Sequence, residues 1–151
     1  MSDSDLIKLY SGRILDLAAN IPHAGRLAAP TGTARKRSPL CGSTVTVDLV
    51  MAGGRVTEFA QEVRACALGQ ASAAILGAVI LGRSRAELEA ARTALRAMLQ
   101  DSAPAPEAPF AGYEVLTPAR DYRNRHASIL LAIEAACEAA ALSEPASAAA
   151  T

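Results

Sequence analysis

The sequence predicts an α+β domain in which a small three-stranded antiparallel sheet packs against helices. Three observations carry this. Residues 44–51 (TVTVDLVM) and 56–63 (VTEFAQEV) read as strands on either side of AGGR, whose glycines supply the positive φ of a hairpin turn. Residues 85–99 (RAELEAARTALRAML) read as a helix, with Ser84 and Glu87 forming a capping box before it. The alanine-rich run that starts at Cys66, CALGQASAAILGAVIL, reads as a buried helix.

The remaining elements follow in order. Residues 4–18 place Leu6, Ile7, Tyr10, Ile14 and Leu17 at helical spacing. A loop rich in Pro, Gly and basic residues leads to a short edge strand near 34–38. In the next strand Val45, Val47, Leu49 and Met51 share one face. Folding 56–63 back through AGGR sets Arg55 beside Met51 and Val63 near Val45. Residues 101–112 form a Pro/Ala-rich connector. The last helix runs from about Asn124 to Leu142, with Ile129, Leu130, Ile133 and Cys137 as its apolar stripe. Residues 1–142 make one domain and 143–151 a frayed tail.

Composition bounds the function. At 151 residues the chain is one ordinary domain. With aromatics at 3% and no Trp, the core must come from Leu, Ile, Val and Ala. A formal net charge of zero argues against a nucleic-acid binder held by bulk electrostatics and against a polybasic membrane contact. No uninterrupted run approaches the roughly 18–20 apolar residues of a membrane span. The acidic start MSDSDLIKLY lacks the pattern of a signal peptide. The expectation is a soluble cytoplasmic protein. Three cysteines cannot all pair within the chain, and in a reducing compartment such thiols suggest metal or redox chemistry unless they are core residues.

Two of those thiols have suggestive positions. Cys41 ends a loop in PLCGSTVTV just before a strand. Cys66 follows a strand and opens a helix, where free N–H groups and the helix dipole favour a thiolate. The hairpin brings both toward one end of the sheet. The competing reading is that two cysteines simply fall near strand ends. His126, in RNRHASILL, opens the last helix; taken alone it reads as a surface or packing residue. Cys137 lies eleven residues further, roughly 16 Å along the axis, and reads as core.

These stretches resemble the U-type iron–sulfur cluster scaffold proteins, the IscU, SufU and NifU N-terminal group. Pro39-Leu40-Cys41-Gly42 matches the family's Asn-Pro-Leu-Cys-Gly-Asp stretch. Cys66-Ala67, Ala71 and Ser72 match its second cysteine stretch, and YSGRILDLAANIPHAGRL resembles its opening helix and loop. The resemblance spans Tyr10 to Leu142, and the long segment between Cys66 and RHAS is similar to the SufU subgroup. It implies the U-type scaffold (SufE/NifU-like) fold. It implies a site at Cys41, Cys66 and His126 for an iron–sulfur cluster or zinc, with Ser43 as a weak or water-mediated donor. It also implies a cysteine desulfurase and assembly or acceptor proteins as partners, and a carrier rather than an enzyme, with Cys41 able to accept persulfide sulfur.

The departures are specific. The family aspartate is Ser43 here, and the family's third cysteine is Ala127. Cys41, Cys66 and His126 would give zinc three ligands and an open position. A cluster wants four donors, mostly thiolates, which a homodimer could supply across a symmetric contact. Three functions stay open: a cluster carrier, a zinc-dependent sulfur acceptor, and a metal-free interaction module. The three candidate side chains are expected to converge at one end of the sheet, with Ser43 and Ala127 lining the same pocket.

Overall fold

The computed structural model describes residues 10–39 and 42–143. Helix α1 (Gly12–Ala19) starts behind Ser11, whose hydroxyl accepts from the Ile14 N–H. Residues 4–9 of the expected first helix lie outside the described residues. Strands β1 (Gly32–Arg37), β2 (Thr44–Ala52) and β3 (Arg55–Arg64) form one antiparallel sheet in that order. Helices α2 (Ala67–Val79), α3 (Arg85–Gln100) and α4 (Arg123–Ser143) follow.

The hairpin explains most of the register. Gly53 and Gly54 both take positive φ, 62° and 75°, which a two-residue turn between twisted strands requires. Val45 pairs with Val63 as the alternation predicts. Arg55, however, pairs with Ala52 rather than Met51, because only Gly53 and Gly54 lie in the turn; the ladder shifts by one residue between Val50 and Met51.

Inner-face residues Val45, Val47 and Leu49 are buried under α4, which lies across β1 and β2. Gly32 permits that approach: a Cβ there would fall 2.0 Å from the Ala139 carbonyl oxygen. α2 packs beside α4, with α1 on α2 and α3 on α4. α3 carries the capping box, Ser84 and Glu87 each satisfying the other's backbone N–H. The serine N–H, together with the Arg83 guanidinium, holds the Glu87 carboxyl below its usual range.

α4 corrects one expectation. Its 21 residues are long and apolar enough, by length and composition, to cross a bilayer. Counting uninterrupted apolar runs missed this, because alanine raises the average while charges break the run. In this fold 67% of that stretch is buried in the protein, as in a core helix. A second correction concerns residues 111–121, which form a 3-10 helix around Pro118 that the sequence pattern did not reveal.

On the outer face a loop is strapped to the sheet. Asp48, fully buried, accepts from Arg26 Nε (2.6 Å) and Nη2 (3.1 Å), from the Leu27 N–H (3.0 Å) and from the Thr33 hydroxyl (2.6 Å). Burial alone would raise this carboxyl; the donors outweigh it and leave its pKa lowered. The same loop meets the outer edge of β3. Gly25 N–H donates to the Gln61 carbonyl, and Gln61 N–H donates to that of His23, both at 2.9 Å. Further along that edge, Val56 exchanges backbone bonds with Gly82 and Arg83.

Candidate functional site

The end of the sheet opposite the hairpin gathers three small polar side chains. Cys66 caps α2 in an extended conformation (φ −66°, ψ 170°) with no side chain bonded to the helix start. Its half-buried side chain sits at the N-terminus of α2 without accepting from the helix N–H groups. The sulfur lies 3.4 Å from the Ser128 hydroxyl oxygen. Ser128 in turn donates to the Ser43 hydroxyl at 3.3 Å. Both serines are buried.

Close packing of α2 on α4 holds this contact. Gly69 faces Ser128, and a Cβ there would fall 2.6 Å from the serine oxygen. One turn further along α2, Ser72 donates to the Ile129 carbonyl at 2.6 Å. Ser43 is fixed from the sheet side, its carbonyl accepting from the Ser38 N–H at 2.8 Å.

Cys41 lies outside the described residues. The chain on either side of it is placed at this same end: Gly42 N–H donates to the Ser38 carbonyl at 2.9 Å, and β2 begins at Thr44.

His126 is buried, and its Nε2 lies 3.0 Å from the carbonyl oxygens of both Ala119 and Arg120. Carbonyls only accept, so Nε2 carries the proton and donates to the end of the 3-10 helix. Residues two apart on a helix do not share a face. Ser128 looks toward Cys66, while His126 and Ala127 line an open cleft of about 500 Å³ with Arg96, Gln100, Arg123, Leu130 and Glu134. The structure thus brings together Cys66 and Ser43. It does not bring His126 Nε2 to them, and Ala127 lines a different cleft from the one expected. Among the described residues, no three His, Cys, Asp or Glu side chains are grouped to hold a metal ion.

Cys137 is buried, and burial pushes its thiol up to about 11. Ser128, which links the other two side chains, escaped the sequence reading. The signal was its place in RHAS, but a serine inside a helix carries no periodic pattern of its own.

Comparison with known proteins decides the family. Residues 9–128 match the NifU-like N terminal domain. The chain belongs to the NifU-like N-terminal domain family. The structure of the N-terminal part of a nitrogen-fixing NifU-like protein from Brucella abortus is 46% identical, with a TM-score of 0.90, covering 93% of this chain and 97% of that one. A protein from Fervidobacterium islandicum, described as an iron–sulfur cluster assembly scaffold for the SUF system, is 20% identical. It covers 85% of this chain and 94% of its own with a TM-score of 0.75, and so supports the NifU-like fold alone. Among curated proteins none matches the sequence significantly.

Proposed function

We propose that this NifU-like domain is a carrier in iron–sulfur cluster assembly, holding sulfur or a nascent cluster at the end of the sheet that carries Cys66. One observation supports this above the rest. A half-buried thiol stands at a helix start against the buried Ser128 hydroxyl, which is itself bonded to Ser43, whereas the other described thiol, Cys137, is sealed in the core. Family membership supports the same reading, with a cysteine desulfurase as sulfur donor and a cluster-accepting protein downstream. Chemistry of this kind needs free thiols and so a reducing compartment.

The donor set limits how the cargo is held. Cys41 and Cys66 supply two thiolates per chain, and the hydroxyls of Ser43 and Ser128 are weak donors. A cluster prefers four, mostly thiolate. One chain therefore holds it loosely, or two chains share it. His126 donates its Nε2 proton to two backbone carbonyls, which leaves Nδ1 as the nitrogen a metal ion could take, and no step is assigned to zinc.

A second reading, transfer of sulfur alone, is favoured by this thiol-poor set, because it needs a single thiolate. The thiolate would attack the outer sulfur of a donor's persulfide. A new S–S bond forms at the acceptor, and the donor cysteine leaves as its thiolate, with no external oxidant.

The test is anaerobic incubation with ferrous iron, sulfide and dithiothreitol, followed by iron and sulfide analysis per chain. The carrier reading expects loading that falls in Cys41→Ser and Cys66→Ser and survives in Cys137→Ser. Loading that is absent, or independent of Cys41 and Cys66, overturns it. Gain of a sulfur atom from a desulfurase, read by mass spectrometry without iron, would establish the second reading.

A further inference from the structure

The chain is neutral overall, yet the thiol end of the sheet is cationic. Arg37 on β1 pairs across the ladder with Thr44, and Thr44 pairs with Arg64 on β3. These three therefore form one row on the outer face. Thr44 directly follows Ser43, and Arg64 precedes Cys66 by two residues. Arg35 stands in the next row on that face, opposite Thr46. Arg125 lies one helical turn before Ser128, on the side of α4 that looks toward Cys66.

Arg35, Arg37 and Arg64 are exposed. Among the described residues neither these three nor Arg125 joins an ion pair, whereas Asp48, Glu62, Glu87, Glu89, Glu134 and Glu138 all do. Four unpaired guanidiniums from three elements thus gather at the end of the domain that carries the thiol, Arg35, Arg37 and Arg64 on the outer face and Arg125 at the start of α4. Like charges gathered at one end of the domain add to a field that steers an acidic partner and that physiological salt screens over about 8 Å.

We propose that this arginine collar docks an acidic segment of a partner protein and so presents the partner's sulfur or acceptor thiol to Cys66. The inference rests on the reading that this end exchanges sulfur or cluster with another protein. Charge complementarity selects an acidic occupant, and the neighbouring thiol selects one that carries sulfur chemistry. A nucleic acid is less suited. The patch is short, Phe59, Phe110 and Tyr113 are buried, and Tyr10 and Tyr122 are half-buried against the core, so no exposed Phe or Tyr ring offers itself to a base. A membrane surface is less suited because its recognition uses a longer run of basic residues than this collar offers.

The test uses the full chain with Cys41→Ser and Cys137→Ser, leaving Cys66 as its one thiol. Two short peptides, each with one cysteine activated as a 2-thiopyridyl disulfide, differ only in glutamate or lysine flanks. The Cys66 thiolate attacks the peptide sulfur, a mixed disulfide forms, and thiopyridone leaves and is read by absorbance. The glutamate peptide should react about tenfold faster at low salt, with the ratio falling toward one in high salt. Arg37→Gln with Arg64→Gln, and separately Arg125→Gln, should shrink the ratio. Arg55→Gln, at the far end of β3, should leave it unchanged.

Equal rates, or a preference that survives loss of these arginines, would overturn the proposal. So would a single-stranded oligonucleotide or phosphatidylglycerol vesicles that shield Cys66 better than a glutamate peptide of equal charge. The reaction needs neither iron nor sulfide. Failure of cargo loading would leave this result standing, and failure here would leave the loading result standing.

Discussion

Ser128 joins Cys66 across the contact of the second and last helices, oxygen to sulfur at 3.4 Å. The side chain that looks at the thiol is thus the serine, and not Ala127, the position that the family pattern assigns to a cysteine. Ser128→Cys should therefore raise the iron or zinc retained per chain several-fold, since a thiolate binds these ions far better than a hydroxyl. Ala127→Cys should raise it less, because that side chain lines the cleft toward α3. Metal analysis of the two variants after anaerobic reconstitution checks the order.

His126 holds the end of the 3-10 helix through two carbonyls. His126→Ala should cost about 1–2 kcal/mol in urea unfolding, because two buried carbonyls lose their shared donor. Iron loading at low temperature, where the variant stays folded, should remain near that of the parent. Loss of loading with unchanged stability would assign the imidazole to the cargo instead.

The Asp48 carboxyl has a lowered pKa in the folded protein, so its contribution to stability is fully present above the unfolded value near 3.8 and fades as pH falls through the folded value. Asp48→Asn should cost about 2 kcal/mol at pH 7. The difference from the parent should shrink steadily below about pH 3.8. Urea unfolding at a series of pH values measures both.

Gly32→Ala should be strongly destabilising, by about 3 kcal/mol, since the new methyl would meet the rigid Ala139 backbone at 2.0 Å. Thermal unfolding should show a drop of about 6–12 °C for a domain of this size.

Cys137 should resist iodoacetamide at pH 8 in the folded chain, because its thiol is both buried and raised to about 11. Cys66 should be modified before Cys137. Peptide mapping by mass spectrometry separates the two sites.

The hairpin was legible because a two-residue glycine turn and alternating valines leave few registers, and Val45 duly pairs with Val63. The one-residue shift between Val50 and Met51 was not, since such an irregularity has no composition signal. The 3-10 helix stayed hidden because Pro118 and a three-residue repeat do not produce the helical period being sought. At the site, Cys66 could be read from its place between a strand and a helix. Ser128 could not, because its role depends on Gly69 letting two helices touch. The arginine collar was equally invisible: its members are scattered between residues 35 and 125, and only strand pairing and helix packing bring them together.

The loop bonded to Gln61 and the segment bonded to Val56 have a consequence for how copies of this protein can meet. They cover the outer edge of β3 at two places, so another strand cannot simply zip along it. The opposite edge, β1, displays Arg35, Lys36 and Arg37 in succession, and a second copy laid against it would face its own positive charge. Growth of the sheet from chain to chain is thus blocked on one side and repelled on the other. Fibre-like stacking of one sheet on the next is thereby discouraged.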